Sequence, residues 1–103
     1  MQIQNFDQFQ SIINEEKISV VDFFATWCGP CKMLGPVFEQ VGNEMSNEAN
    51  FLKIDIDQFN EIASMFQVQS VPTIIFFKNG KEIARHIGFI DSENLKDKIN
   101  SLK

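Results

Sequence analysis

The sequence predicts an α/β domain, a central mixed sheet with helices on both faces, and three observations predict it. Apolar periodicity switches several times between helical and strand-like spacing, with turn residues at each switch. Ile18 to Ala25 is β-branched and aromatic almost throughout, which suits a central strand covered on both sides. Asn79-Gly80, between two further such runs, is the signature of a two-residue hairpin turn, so the sheet includes an antiparallel pair. A length of 103 residues fits a single domain, residues 1–103, with one core. The 44% hydrophobic and 22% charged content places the chain among ordinary globular proteins rather than disordered ones.

Taken in order, Asn5 caps a first helix whose Phe6, Phe9, Ile12 and Ile13 share one face, with Gln8 where a reciprocal capping partner stands. That helix ends near Glu16. The strand Ile18 to Ala25 follows, interrupted by Asp22. A second helix begins around Cys28 to Pro30 and buries a stripe of Met33, Leu34, Val37, Phe38, Val41 and Met45. Pro36 lies within this stripe and bends the helix by removing a backbone hydrogen bond. Phe51 to Ile56 reads as a strand, and Phe59, Ile62, Ala63 and Phe66 as the inner face of a third helix. After Val71-Pro72 come the strand Thr73 to Phe77, the hairpin turn and the antiparallel return Lys81 to Ile87. The last helix starts near Asp91 or Ser92 and turns Leu95, Ile99 and Leu102 inward. No repeat or low-complexity segment interrupts the series.

The charge balance removes two classes of partner. A formal net charge of -5 opposes nucleic acid and anionic membrane surfaces, both of which attract Lys and Arg. No basic cluster compensates, since Lys78 and Lys81 flank a turn while Lys96, Lys98 and Lys103 are dispersed among acidic residues. Met1 to Gln10 holds neither Lys nor Arg and no long apolar run, so a secretory signal is not expected there. Nor does any stretch approach the ~20 apolar residues of a membrane span. A cytoplasmic location follows as the expectation, and thiols there are kept reduced, with disulfides usually transient or catalytic.

The chemistry concentrates in Trp27-Cys28-Gly29-Pro30-Cys31-Lys32, between the central strand and the second helix. A helix start leaves backbone N–H groups unpaired and carries about half a positive charge, which stabilises a thiolate placed there. Thiolate is the nucleophile of disulfide exchange. Pro30 suits a first helical turn because its ring presets φ and its absent N–H would lack a partner anyway. Gly29 leaves room for a substrate backbone. Cysteines three apart on a helix lie on one face, with Cβ atoms ~5 to 6 Å apart, so small adjustments let the sulfurs bond. Structural zinc needs four ligands, and two cysteines with the lone His86 do not supply them. A purely structural disulfide over so short a loop would constrain the unfolded chain little.

Val21-Asp22-Phe23-Phe24-Ala25-Thr26, running into Trp27-Cys28-Gly29-Pro30-Cys31-Lys32-Met33, closely resembles the thioredoxin family. Ser70-Val71-Pro72-Thr73, Phe77-Lys78-Asn79-Gly80 and Gly88 match its later landmarks in the right order. The resemblance implies the thioredoxin fold and a protein-disulfide reductase, with Cys28 attacking and a buried Cys31 resolving. It also implies re-reduction by thioredoxin reductase, usually with NADPH electrons, and disulfide-containing client proteins. No cofactor is expected on the chain itself, and a monomer is expected.

Asp22 has physical support of its own, since burial in an apolar strand raises a carboxyl pKa and suits it as a general base toward Cys31. By resemblance, Lys53 lies near this aspartate, and Pro72 is a cis-proline facing the cysteines that exposes the Val71 backbone for strand-like pairing with substrate. Trp27, Pro30, Ile56, Val71, Gly88 and Phe89 are candidates for an apolar docking patch around Cys28. The sequence departs from the family at Phe24, where a second tryptophan is common, and at Phe89, where smaller residues are frequent. His86 is expected on an edge strand as a solvated side chain. Two other functions use the same fold: a binding or regulatory subunit, and a thiol oxidase or isomerase running the exchange in the opposite direction.

Overall fold

In the computed structural model, which describes residues 1–103, the run Ile18–Phe24 forms strand β1, every residue of which is buried. Only a strand with neighbours on both edges and helices on both faces can be so apolar. Around it the chain forms α1 (Phe6–Ile13), α2 (Gly29–Glu44), β2 (Ala49–Asp55), α3 (Asn60–Met65), β3 (Thr73–Lys78), β4 (Lys81–Ile87) and α4 (Ser92–Leu102). The sheet order is β2-β1-β3-β4. β1 runs parallel to β2, joined through α2, and antiparallel to β3, which pairs antiparallel with β4 across the hairpin. At its turn, Asn79 and Gly80 both take the positive φ that such a tight connection needs, 54° and 80°.

Side chains alternate between the two faces of the sheet, and this alternation builds two cores. Ile18, Val20, Ile74 and Phe76 meet Leu34, Phe38 and Val41 of α2 and Leu95 and Ile99 of α4. On the opposite face, Val21, Phe23, Ile75 and Phe77 meet Phe9 and Ile13 of α1 and Ile62 and Ala63 of α3. Asp22 falls on the α2 face, between Val20 and Phe24.

Several local expectations change. α1 ends at Ile13, capped by Asn14, whose N–H reaches the Gln10 carbonyl. Asn5 does cap it, accepting the Gln8 N–H at 2.8 Å, but the Gln8 side chain accepts from Gln4 rather than from the cap residue. Met33 is 64% exposed, because the stripe of α2 that faces the sheet is Leu34, Phe38 and Val41, about 100° around the helix. Pro36 is also exposed, and α2 continues through it. β2 begins at Ala49, two residues before Phe51. One pairing has no periodic signal at all. The Ile3 N–H donates to the Lys53 carbonyl at 3.0 Å and the Lys53 N–H to the Met1 carbonyl at 2.8 Å, so the N-terminal residues cover the free edge of β2. Three residues are too few to show a period. No helix is long and apolar enough to cross a membrane.

Candidate functional site

β1 ends at Phe24, and the chain turns through Ala25 to Trp27 to reach the first turn of α2. Cys28 is the N-cap, with extended backbone (φ -93°, ψ 118°), and its sulfur accepts the Cys31 N–H at 3.2 Å. A sulfur therefore takes the capping role usually given to a hydroxyl or carboxylate oxygen, on one of the unpaired donors of the helix start. Pro30 occupies the first helical turn, where its missing N–H costs nothing. Cys28 and Cys31 are joined as a disulfide with Cα atoms 5.2 Å apart. Both are nearly buried, at 5% and 6% exposure, so exposure does not separate an outer from an inner cysteine. Access does, because a groove of about 390 Å³ is lined by Cys28 but not by Cys31.

Trp27, Gly29, Pro30, Ile56 and Val71 line that groove together with Val68, Gln69 and Ser70, which the sequence had not marked. The peptide bond before Pro72 is cis. The Val71 carbonyl oxygen lies 3.6 Å from Cys28 Sγ, a contact rather than a hydrogen bond, since a disulfide sulfur carries no proton. The segment before Pro72 is pinned by the Thr73 hydroxyl, which donates to the Ser70 carbonyl at 2.7 Å. Gly88 and Phe89 do not line the groove. They lie beyond it, with the Gly88 N–H donating to the Pro72 carbonyl at 2.8 Å and Phe89 42% exposed. Gly88 has φ +97°, a conformation that other residues rarely adopt.

Trp27 is 68% exposed, yet oriented, because its indole N–H donates to the Asp57 carboxylate at 2.8 Å. Asp57 was not a candidate, and the only hint was its alternation with Asp55 past the end of an apolar strand. His86 lies on the edge strand β4 and is partly exposed, its Nε2 3.1 Å from the Phe89 carbonyl oxygen at the surface. No three His, Cys, Asp or Glu side chains gather anywhere as a metal-binding group would require.

Behind the cysteines, Phe24, Ala25, Cys28 and Cys31 form a small buried cluster backed by Ile56 and Val71. Asp22, two residues before Phe24 on the same face, is 1% exposed, and neither carboxyl oxygen has a hydrogen-bond partner. Burial pushes its pKa up to about 7, against a smaller opposing pull from the Lys53 charge. Lys53 stands opposite Asp22 in the β1–β2 register, with its ammonium 4.7 Å from the centre of the Phe24 ring.

A model of the family described as thioredoxin matches residues 1–101. The chain belongs to the thioredoxin family. Thioredoxin of Mycoplasmoides gallisepticum is 45% identical to it over 95 residues, 92% of this chain and 94% of that one. Thioredoxin-1 of Schizosaccharomyces pombe is 46% identical over 87 residues, 84% of each chain. The crystal structure of Malassezia sympodialis thioredoxin superimposes with a TM-score of 0.90 at 40% identity, covering 97% of this chain and 87% of that one. Like these thioredoxins, the chain is a thiol–disulfide oxidoreductase, and its redox group is the Cys28–Cys31 pair.

Proposed function

We propose that this thioredoxin works as a protein-disulfide reductase in which Cys28 is the attacking thiolate and Cys31 the resolving one. The Cys28 sulfur, capping α2 at the mouth of the groove, carries the reading. In the dithiol form the same helix start and the same Cys31 N–H favour the Cys28 anion. That anion attacks one sulfur of a client disulfide, forming Cys28–S–S–client and releasing the other client sulfur as thiolate. Cys31, deprotonated by Asp22, then attacks Cys28 Sγ. The intramolecular disulfide forms, the client leaves as thiolate, and two electrons have passed from the chain to the client. Trp27, Gly29, Pro30, Ile56 and Val71 hold the client segment in the groove, with the Val71 backbone pairing to it; Gly88 and Phe89 border the site through Pro72. Lys53 modulates Asp22. The chain acts as a single-domain monomer in the cytoplasm, and thioredoxin reductase restores the dithiol with electrons from NADPH, which never binds this chain.

The test is reduction of insulin disulfides by wild type beside Cys28→Ser, with Cys31→Ser used to trap clients. Loss of turnover in the first variant and stable covalent adducts on the second are expected. Turnover that survives Cys28→Ser would remove the assignment. The redox potential of the pair fixes the direction: a value above that of the cytosolic glutathione pool would make the chain an oxidant instead. For Asp22, single-turnover kinetics of Asp22→Asn should show resolution of the mixed disulfide slowed far more than its formation, and unchanged resolution across neutral pH defeats the role.

A further inference from the structure

Two buried facts on the α2 face of the sheet belong together. Asp22 and Lys53 are register partners in adjacent strands, the arrangement in which opposite charges meet. Yet Asp22 accepts no hydrogen bond, and Lys53 makes no ion pair; its ammonium sits over the Phe24 ring, 4.7 Å from the centroid. Phe24 is two residues beyond Asp22 on the same face, diagonal to Lys53, and only 8% exposed. A cation over a largely desolvated aromatic face is held by the negative charge of the ring quadrupole, which competes with a carboxylate for the same ammonium.

We propose that Phe24 is a positioning residue: its ring captures the Lys53 ammonium, keeps it out of contact with Asp22, and so leaves the carboxyl free to take and give a proton. This deepens the proton-transfer role given to Asp22 under Proposed function and rests on it for its consequence, though not for its geometry. The other charged groups do not replace Lys53. β2 also presents Asp55, whose carboxylate accepts the Asp57 N–H at 2.9 Å. α2 contributes Glu39, which borders with Lys53 and Met1 a separate groove of about 430 Å³, and the exposed Lys32 and the cystine at its start. The Met1 amine donates to the Phe51 carbonyl at 3.0 Å. β3 sets Ile74, which does not titrate, opposite Asp22.

The experiment is titration of the Asp22 carboxyl by carbon-13 NMR in the disulfide form, where no cysteine titrates. Phe24→Leu keeps apolar bulk without a π face and should lower the Asp22 midpoint by about one pH unit as the freed ammonium pairs with the carboxylate. Phe24→Trp should restore the midpoint, and in a Lys53→Met background Phe24→Leu should leave it where it is. Pentafluorophenylalanine at position 24 keeps the ring's shape and reverses its electrostatics, so it should act like Leu even if Leu disturbs packing. A midpoint that stays or rises in both the Leu and the fluorinated protein overturns the proposal, and so does a fall that persists without Lys53. The two readings separate in the kinetics of Phe24→Leu. If the midpoint moves while the pH profile of mixed-disulfide resolution does not, Phe24 positions Lys53 and the proton-transfer role of Asp22 fails. If the midpoint does not move, Phe24 has no such role and Asp22 keeps its own.

Discussion

Asp22 costs the protein stability, and the cost depends on pH. At pH 5 to 6 an unfolded chain has already released the Asp22 proton, whereas the folded chain still holds it, because burial lifts the carboxyl from 3.8 to about 7. The folded state therefore binds more protons in that window, and raising the pH favours unfolding. Below about pH 3 the carboxyl is neutral in both states and the penalty vanishes; above about pH 7 it is complete, on the order of 4 kcal/mol. Urea unfolding of the disulfide form should show wild type losing stability relative to Asp22→Asn between these limits, while the constant cost of burying an amide cancels from the comparison. A difference that does not change with pH would mean that the carboxyl is solvated in the folded state. A costly group kept at the centre of the most buried strand is where a functional constraint outweighs packing.

At the scale of single elements, the ends and turns carry the specific chemistry and the interiors carry pattern. The α2 start is the case that matters for activity, since the N-cap atom is itself the sulfur of Cys28. The β3–β4 hairpin is the case that matters for register. Gly80 has φ +80°, and a Cβ added there would collide with the Asn14 side chain. Gly80→Ala should therefore cost about 1 to 2 kcal/mol, read as a lower urea midpoint with an unchanged slope. Asn79, also at positive φ, tolerates that conformation because of its short polar side chain. By contrast, the ion pairs Lys96–Glu44, Lys103–Glu48 and Arg85–Glu82 lie on the partly exposed surface, where such pairs contribute little.

Across the whole molecule, one sheet serves two cores. β1 and β3 place alternate residues into each, so Val20 and Phe76 belong to the α2 and α4 side while Val21 and Phe77 belong to the α1 and α3 side. Phe77 meets the rings of Phe9 and Phe66 edge-on at centroid distances of 5.8 and 5.1 Å, and Phe38 meets Phe51 at 5.5 Å. This use of aromatic pairs gives the phenylalanine-rich composition a structural reason. Phe77→Ala and Phe38→Ala, on opposite faces, should each cost about 3 to 5 kcal/mol and each lower one common unfolding transition. Two separated transitions, by circular dichroism or hydrogen exchange, would show that the faces unfold independently.

The sequence by itself determined the order and type of the elements, the hairpin at Asn79-Gly80 and the placing of the cysteine pair at a helix start. Each rests on local periodicity, turn chemistry or capping, which neighbouring residues dictate. Local pattern overreached where the bearing of a side chain depends on the helix as a whole, as at Met33 and Pro36. Only the tertiary structure decided that Met1 to Ile3 cover the edge of β2, that Asp57 orients Trp27, that Gly88 and Phe89 sit outside the groove, and that Lys53 turns to Phe24 instead of Asp22. These are contacts between residues far apart in the chain or competing for one partner. Their outcome depends on distance, burial and the angle of approach, and none of these is written in the spacing of residue types.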